Sequence, residues 1–333
     1  MMVALWACID EIQAPLRNET PRLVVEGIIT NQAEPYTVRL TYTTQFANLR
    51  DLPPTAFENR AQLTLRDDQG KSTAMNLVNA GLYQTANRTF VGQVGRTYTL
   101  TIRLSDGTVY VSDPETMAPV PPIKRFYGEY GGRLEPQAPA GMKLFVDVDD
   151  PARQRNYYRW NVSGWRPRSA TGDCCPFNCF QFCDKYCWIP FQSRSVPLFD
   201  DRYSDGNLIK RQQIYFSPVY TIGSHSVEVR QYSLTQSAYK FWQRYKEQQT
   251  RTGSILDPLP ATIEGNVARA DNRNSRALGY FSASAVVIQR TRIAPDSVGA
   301  SLDNLYREEL PFIGKGYCTR IYPDAVPFRP VGW

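Results

Sequence analysis

The sequence predicts a mainly β protein with two domains, and three observations support this fold class. The chain has 333 residues, and at roughly 150 residues per domain this length suggests about two domains. Short runs of alternating polar and apolar residues recur between turn signals, which is the pattern of half-buried strands. A single segment, following Thr235, has the residue spacing of an amphipathic helix.

Residues 22–120 predict an immunoglobulin-like β-sandwich. Candidate strands lie at residues 23–29, 36–42, 61–66 and 97–104. In the last of these, Tyr98, Leu100 and Ile102 share one face while threonines occupy the other. About seven short strands in roughly 100 residues is the strand density of this fold. The Val-Pro-Pro segment at residues 120–122 interrupts regular structure and marks the predicted domain boundary.

Residues 123–333 predict a second, mainly antiparallel β domain. Candidate strands lie at residues 143–148, 157–162, 209–216, 226–232 and 279–288. In the strand at 157–162, Tyr158 and Trp160 are expected to point into the core, while Tyr157 and Arg159 face outward. Thr235 is a suitable N-cap for the helix. The apolar stripe of this helix, interpreted as core packing, consists of Ala238, Phe241, Trp242 and Tyr245.

An insertion at residues 164–205 contains most of the cysteines. In an exported protein six cysteines allow up to three disulfides, and the sequence does not choose among the pairings. The candidates are Cys174, Cys175, Cys179, Cys183, Cys187 and Cys318. A zinc or iron–sulfur site is the alternative, but the spacing lacks C-x2-C pairs and no histidine lies nearby. We therefore predict a disulfide-stapled insertion and no metal or other cofactor.

The same insertion is rich in aromatic residues, which stack on sugar rings and anchor protein interfaces. Loops of this length are usually functional, and a cluster of exposed rings is costly in water unless something covers it. The predicted ligand or partner contacts are Trp165, Phe177, Phe180, Phe182, Tyr186 and Trp188.

Two other groups of residues contain side-chain types used in catalysis or metal binding. The first comprises Asp147, Asp149, Asp150, Asp200, Asp201 and Asp205. Their spacing does not match a calcium loop, so a solvated turn is expected. The second is His225 between two serines; no GxSxG elbow is present, and a surface histidine at a strand end is expected. We therefore predict no catalytic residue and a protein that is not an enzyme.

The N-terminal segment predicts attachment to a lipid. Leu5-Trp6-Ala7-Cys8 resembles a bacterial lipobox, so residues 1–8 are interpreted as the remainder of an export signal with Cys8 as the acylated residue. Residues 9–21 then form a polar tether. The net charge of +6 is spread along the chain, which argues against nucleic-acid binding. No run approaches the roughly 18 apolar residues that a membrane-spanning helix needs.

Several short segments, taken in order, carry a resemblance to a known family. They are Cys8 with Glu11-Ile12, followed by residues 21–27, 95–100, 156–160, 231–234, 241–242, 265–267 and 279–284. The set resembles the domain-of-unknown-function family 4249 of Bacteroidota outer-membrane lipoproteins. The resemblance implies a location on the outer membrane and genes near those of TonB-dependent receptors. It supplies no catalytic residues.

We therefore expect a lipid-anchored outer-membrane protein, displayed on the cell surface rather than the periplasmic face. Its expected role is that of a binding or accessory subunit of a TonB-dependent uptake system, with an outer-membrane β-barrel as partner. The alternative is a structural subunit of an outer-membrane assembly or secretion complex.

Overall fold

The computed structural model of the chain describes residues 20–44, 55–171, 185–250, 262–301 and 313–330. Within these ranges the predicted mainly β class is confirmed, because nineteen strands and two α-helices are present. Strands β1 to β9 span Leu23–Thr30, Thr37–Tyr42, Ala56–Phe57, Gln62–Asp67, Ser72–Asn79, Leu82–Thr85, Thr97–Arg103, Val109–Ser112 and Glu115–Thr116.

The second part of the chain adds ten strands and both helices. Strands β10 to β16 span Ile123–Arg133, Ala140–Asp149, Tyr157–Ser169, Tyr186–Gln192, Leu198–Asp200, Leu208–Pro218 and His225–Ser233. The remaining elements are α1 (Gln236–Thr250), β17 (Glu264–Arg269), β18 (Arg276–Ser284), β19 (Val286–Ile293) and α2 (Cys318–Ile321).

Nine strands close into a barrel in the order β1, β18, β17, β8, β7, β4, β5, β6, β2 and back to β1. The closure depends on β1, which pairs with β18 in parallel and with β2 in antiparallel orientation. Side chains that alternate inward fill the barrel; Val25, Leu40, Leu65, Leu100 and Ile102 are all essentially without solvent contact. The inside of the barrel is therefore a packed core.

The immunoglobulin-like sandwich predicted for residues 22–120 is not confirmed, since the strands of this region form most of the barrel. Two strands from the second predicted domain, β17 and β18, lie between β1 and β8 in the ring. Alternation in the sequence reports which side chains face the core, and it is the same in a sandwich and in a barrel. It does not report which distant strands pair.

Two further sheets pack face to face and share a second core. One contains β10, β11 and β15, and the other contains β13, β12, β16 and β19, with β14 paired to the start of β12. Leu144 and Val146 from the first sheet meet Tyr158, Trp160 and Val229 from the second. The predicted inward orientation of Tyr158 and Trp160 is thus confirmed.

The predicted strand at residues 279–288 is divided at Ala285. Residues before this position form β18 in the barrel, and residues after it form β19 in the other sheet pair. The backbone N–H of Ala285 donates to Ser233 Oγ at 3.0 Å, and the Ala285 carbonyl accepts from the Ser233 N–H. The backbone groups exposed by the change of sheet therefore have partners.

The helix predicted after Thr235 is present as α1, and it packs between the barrel and the sheet pair. Thr235 caps it, because Thr235 Oγ1 accepts the Ala238 N–H at 3.2 Å. Phe241 packs against Tyr280 of the barrel wall, with 4.9 Å between ring centroids. Among the described residues, no helix has the length and apolar character needed to cross a membrane.

Candidate functional site

A cavity of about 980 Å³ lies between helix α1 and the outer wall of the barrel. This volume is at the upper end of the range of small-molecule sites, which is roughly 300–1,000 Å³. Its apolar lining comprises Val24, Ile28, Leu82, Phe241, Trp242, Tyr245, Ile263, Leu278 and Tyr280. The barrel supplies one wall through β1, β2 and β18, and the helix supplies the facing wall.

The apolar wall arises from the sequence of β1, which carries apolar residues on its outer face as well as its inner face, with Glu26 as the exception. Leu23 and Val25 point into the barrel, so Val24 and Ile28 point outward, where an ordinary surface strand would carry polar residues. Outward apolar residues are favourable only when another element covers them. Helix α1 covers this face incompletely, and the remaining gap is the cavity.

Arg159 of β12 places a positive charge in the cavity wall. Its Cζ atom lies 4.3 Å from the ring centroid of Trp242 and 4.8 Å from that of Tyr232. The aromatic faces attract the cation but offer no conventional hydrogen-bond acceptor. Among the described residues the Arg159 side chain forms no hydrogen bond or ion pair, and its Nε is buried without an acceptor.

The surroundings of this guanidinium are unfavourable for its charge. The Arg159 side chain is half-buried at the cavity wall, and burial lowers its pKa from the usual range, an effect that Tyr232 partly opposes. An arginine nevertheless stays protonated in proteins. The result is a cation held between two rings at the edge of a cavity, with hydrogen-bonding capacity that the described part of the chain leaves unused.

The other ionisable groups of the lining do not neutralise Arg159. Glu26 and Arg39 face each other across the β1–β2 pair and are both exposed. The hydroxyl of Tyr280 is engaged, because it donates to the carboxylate of Glu115. Counting Glu26, Arg39 and Arg159, the described lining carries a net charge of +1.

Three of the contacts predicted in the insertion lie in the described part of the chain, away from this cavity. Trp165 lies in β12, Tyr186 is 56% exposed at the start of β13, and the backbone of Trp188 pairs with Val326. None of these three borders this cavity. Phe177, Phe180 and Phe182 lie outside the described residues.

One disulfide of the predicted set is present in the described chain. It joins Cys187 of β13 to Cys318 of α2, two positions separated by 131 residues in sequence. The other predicted candidates, Cys174, Cys175, Cys179 and Cys183, and the predicted lipidation site Cys8 lie outside the described residues.

A second cavity of about 800 Å³ lies beside β15 and the end of helix α1. Its charged lining consists of Arg166, Arg194 and Lys246, and no carboxylate of the described residues borders it. The Arg166 guanidinium lies over the rings of Phe191 and Tyr220, with its Cζ 5.2 and 5.3 Å from the centroids. Trp165, Tyr186 and Trp188, the predicted contacts that the structure describes, do not line this cavity either.

Three of the acidic residues, Asp147, Asp150 and Asp201, are buried and do not lie in the expected solvated turn, whereas Asp149 and Asp205 are exposed. Carboxylate oxygens of Asp150, Asp201 and Asp205 lie within 4.8 Å of one another, a spacing that can hold a metal ion. Asp150 accepts the Tyr158 hydroxyl at 2.8 Å, and Asp201 accepts the Asn156 N–H at 2.7 Å. Burial raises the pKa of Asp201. Through these hydrogen bonds Asp150 and Asp201 stabilise the start of β12 and the loop before it.

The expectation of a surface histidine at residue 225 is wrong. His225 begins β16 but is wholly buried, and its Nδ1 lies 2.8 Å from Ser217 Oγ. Burial, with a smaller contribution from Arg166, lowers the pKa of His225 to about 3. The sequence could not indicate this burial, because the residues that cover His225, such as Ser217 of β15, belong to the facing sheet.

Tyr157 and Arg159 lie on the face of β12 opposite Tyr158 and Trp160, as expected, but this face does not point into solvent. Tyr157 is buried in a core cluster with Phe241, and Arg159, which was not predicted as a site residue, borders the cavity. The signal in the sequence was a single arginine within the aromatic run Asn156-Tyr157-Tyr158-Arg159-Trp160. Its significance depends on Trp242 and Tyr232, which come from a helix and a strand far along the chain.

No curated protein matches the chain, but a family model does. The family model described as domain of unknown function (DUF4249) matches residues 9–290, a range that contains the nine barrel strands, helix α1 and Arg159. The resemblance noted in the ordered segments is therefore confirmed over most of the chain, and the protein belongs to the DUF4249 family.

Proposed function

We propose that this protein is a non-enzymatic binding protein that holds a small ligand in the cavity beside Arg159. In this proposal it is anchored to the outer membrane through a lipid on Cys8 and serves as an accessory subunit of a TonB-dependent uptake system. The observation that carries the binding role is the cavity of about 980 Å³ with aromatic walls, where Arg159 lies against two rings and has no hydrogen-bond or ion-pair partner among the described residues. Apolar walls with few polar groups are typical of ligand sites.

The candidate catalytic groups support a binding role over an enzymatic one. Ser217 and His225 form a hydrogen-bonded pair, but both are wholly buried, so a substrate has no access to the serine hydroxyl. Asp150 and Asp201 accept hydrogen bonds from the protein itself. Neither set borders the cavity beside Arg159.

A structural role in an outer-membrane assembly or secretion complex is the second candidate. Large side chains on the surface favour it, since Tyr186, Tyr203 and Phe328 are 56%, 92% and 81% exposed. Exposed rings of this kind anchor protein interfaces. In that case the protein would contact other subunits and the cavity would carry no ligand.

The first test is extraction of native membranes with a mild detergent, purification through a C-terminal tag and mass spectrometry of the proteins recovered. A stoichiometric TonB-dependent barrel supports the uptake role. Assembly or secretion subunits in its place support the second candidate. Recovery of the protein alone counts against both partnerships.

Anchoring is tested by the substitution Cys8→Ser, which removes the thiol that acylation requires. We expect the variant to leave the membrane fraction and appear in the soluble fraction, measured by immunoblotting of separated fractions. Labelling with a radioactive fatty acid provides the matched readout, and only the parent protein should incorporate it. Equal retention of both proteins on the membrane contradicts the lipid anchor.

A further inference from the structure

We infer that the ligand of the cavity beside Arg159 is an organic carboxylate with an apolar body, and that its carboxylate pairs with the Arg159 guanidinium. The inference rests on the proposed binding role and assigns the chemical class of the ligand. Three observations lead to it: the unpaired cation, the apolar lining and the net charge of the lining.

The unpaired cation requires an acceptor. Removing a charged group from water is costly unless a counter-ion and hydrogen bonds replace the lost hydration. The rings of Trp242 and Tyr232 attract the charge of Arg159, yet no carboxylate of the described residues contacts it. A carboxylate fits the planar guanidinium with two parallel hydrogen bonds, which is the strongest arrangement available to arginine.

The apolar lining requires an apolar body on the ligand. Beyond the guanidinium the apolar part of the walls is formed by Val24, Ile28 and Leu278 on one side and by Phe241 and Trp242 on the other. Polar side chains also line the cavity, namely Thr37, Thr43, Gln248, Thr262 and Ser282. A fully polar ligand would lose its own hydration against the apolar side chains, which offer it no hydrogen-bond partners. An aliphatic chain or a flat ring system gains from the burial of apolar area, at about 25 cal/mol for each Å².

The charge of the lining favours a monoanion over a phosphate. Glu26 and Arg39 balance each other at the cavity wall, which leaves the single charge of Arg159. One carboxylate neutralises this charge completely. A dianionic phosphate would leave one negative charge uncompensated within an apolar site, so it is expected to bind less tightly.

The test uses the full chain carrying Cys8→Ser, purified without detergent, and isothermal titration calorimetry with dodecanoate. Dodecanol and dodecyl phosphate serve as the neutral and dianionic probes. We expect dodecanoate to bind more tightly than either, and Arg159→Met to weaken dodecanoate binding by about 10- to 100-fold, the range for one charged hydrogen-bonding partner. Dodecanol should bind both proteins equally.

The matched control is Arg103→Met, which removes an exposed arginine of β7 on another part of the barrel and should leave all three affinities unchanged. The substitution Arg159→Lys keeps the charge but loses the paired geometry, so an intermediate loss is expected. Thermal unfolding adds a measure of fold. Because Arg159→Met removes an uncompensated cation, its melting temperature should equal or exceed that of the parent.

Failure of the inference and failure of the proposed function give different results. If dodecanol binds as tightly as dodecanoate and Arg159→Met changes neither affinity, charge pairing is wrong although the cavity still binds a ligand. Small molecules extracted from protein purified out of native membranes give the independent check by mass spectrometry. Neutral compounds alone overturn the carboxylate, whereas no bound compound and no binding of any probe overturn the proposed function itself.

Discussion

At the scale of single residues, β12 holds its arginines against aromatic rings instead of carboxylates. Arg159 lies between Trp242 and Tyr232, and the Arg168 Cζ lies 3.3 Å from the ring centroid of Tyr220. The Nε atoms of Arg159, Arg166 and Arg168 are all buried without an acceptor in the described chain. Two of these arginines therefore give a positive potential to the two cavities, Arg159 to one and Arg166 to the other.

The buried His225 leads to a prediction about protonation. Because burial lowers its pKa to about 3, the imidazole of the folded protein should remain neutral from pH 8 to pH 5. The chain has a single histidine, so its imidazole proton resonances are assigned without ambiguity in a protein purified without a histidine tag. We expect no shift of these resonances across this range. A titration midpoint near the ordinary value of about 6.5 would contradict the burial.

The same group contributes to the dependence of stability on pH. A histidine whose folded pKa is depressed stabilises the fold above its unfolded pKa of about 6.5, and this contribution is lost as pH falls towards 3. Acidification from pH 7 to pH 4 should therefore lower the unfolding free energy of the parent more than that of His225→Gln. Urea titrations of both proteins measure this narrowing difference.

At the scale of elements, helix α1 has one apolar stripe with two roles. Ala238 and Phe241 are buried, which agrees with the interpretation of the stripe as core packing. Phe241 also borders the cavity, together with Trp242 and Tyr245 of the same stripe. The helix is also fixed at its start, where Thr235 Oγ1 donates to the buried carboxylate of Glu115 at 2.8 Å. A firmly held start keeps Trp242 in position beside Arg159.

The disulfide between β13 and α2 leads to a prediction about stability. Cys318→Ser should lower the free energy of unfolding by about 2–5 kcal/mol, because the reduced chain loses a constraint across a long loop. Urea denaturation followed by tryptophan fluorescence measures the change. The double variant Cys187→Ser/Cys318→Ser should lose no more than the single variant. A further loss of similar size would mean that the two cysteines act independently.

At the scale of the whole molecule, the barrel and the sheet pair are interleaved along the chain. The chain builds most of the barrel, leaves it after β9 to form β10 to β16, returns for β17 and β18, and leaves again through Ala285 to β19. The cavity beside Arg159 forms where these two parts meet, since the barrel, α1 and β12 all contribute to it.

Interleaving predicts how fragments behave. A fragment of residues 20–120 lacks β17 and β18, so β1 and β8 become open edges that expose unpaired backbone groups. We expect this fragment to aggregate or to unfold without cooperativity, whereas residues 20–301 should unfold cooperatively. Urea titration and dispersion of amide resonances distinguish the two. A folded, cooperative fragment of residues 20–120 would instead support an independent N-terminal domain.

The sequence by itself determined the mainly β class, the position of the helix, the inward residues Tyr158 and Trp160, and the family. These properties are readable because strand and helix periodicity and ordered motifs are local patterns along the chain. Only the tertiary structure decided the closure of the barrel, the change of sheet at Ala285 and the cavity beside Arg159. Each depends on contacts between residues far apart in sequence, and local periodicity carries no information about which distant partners meet.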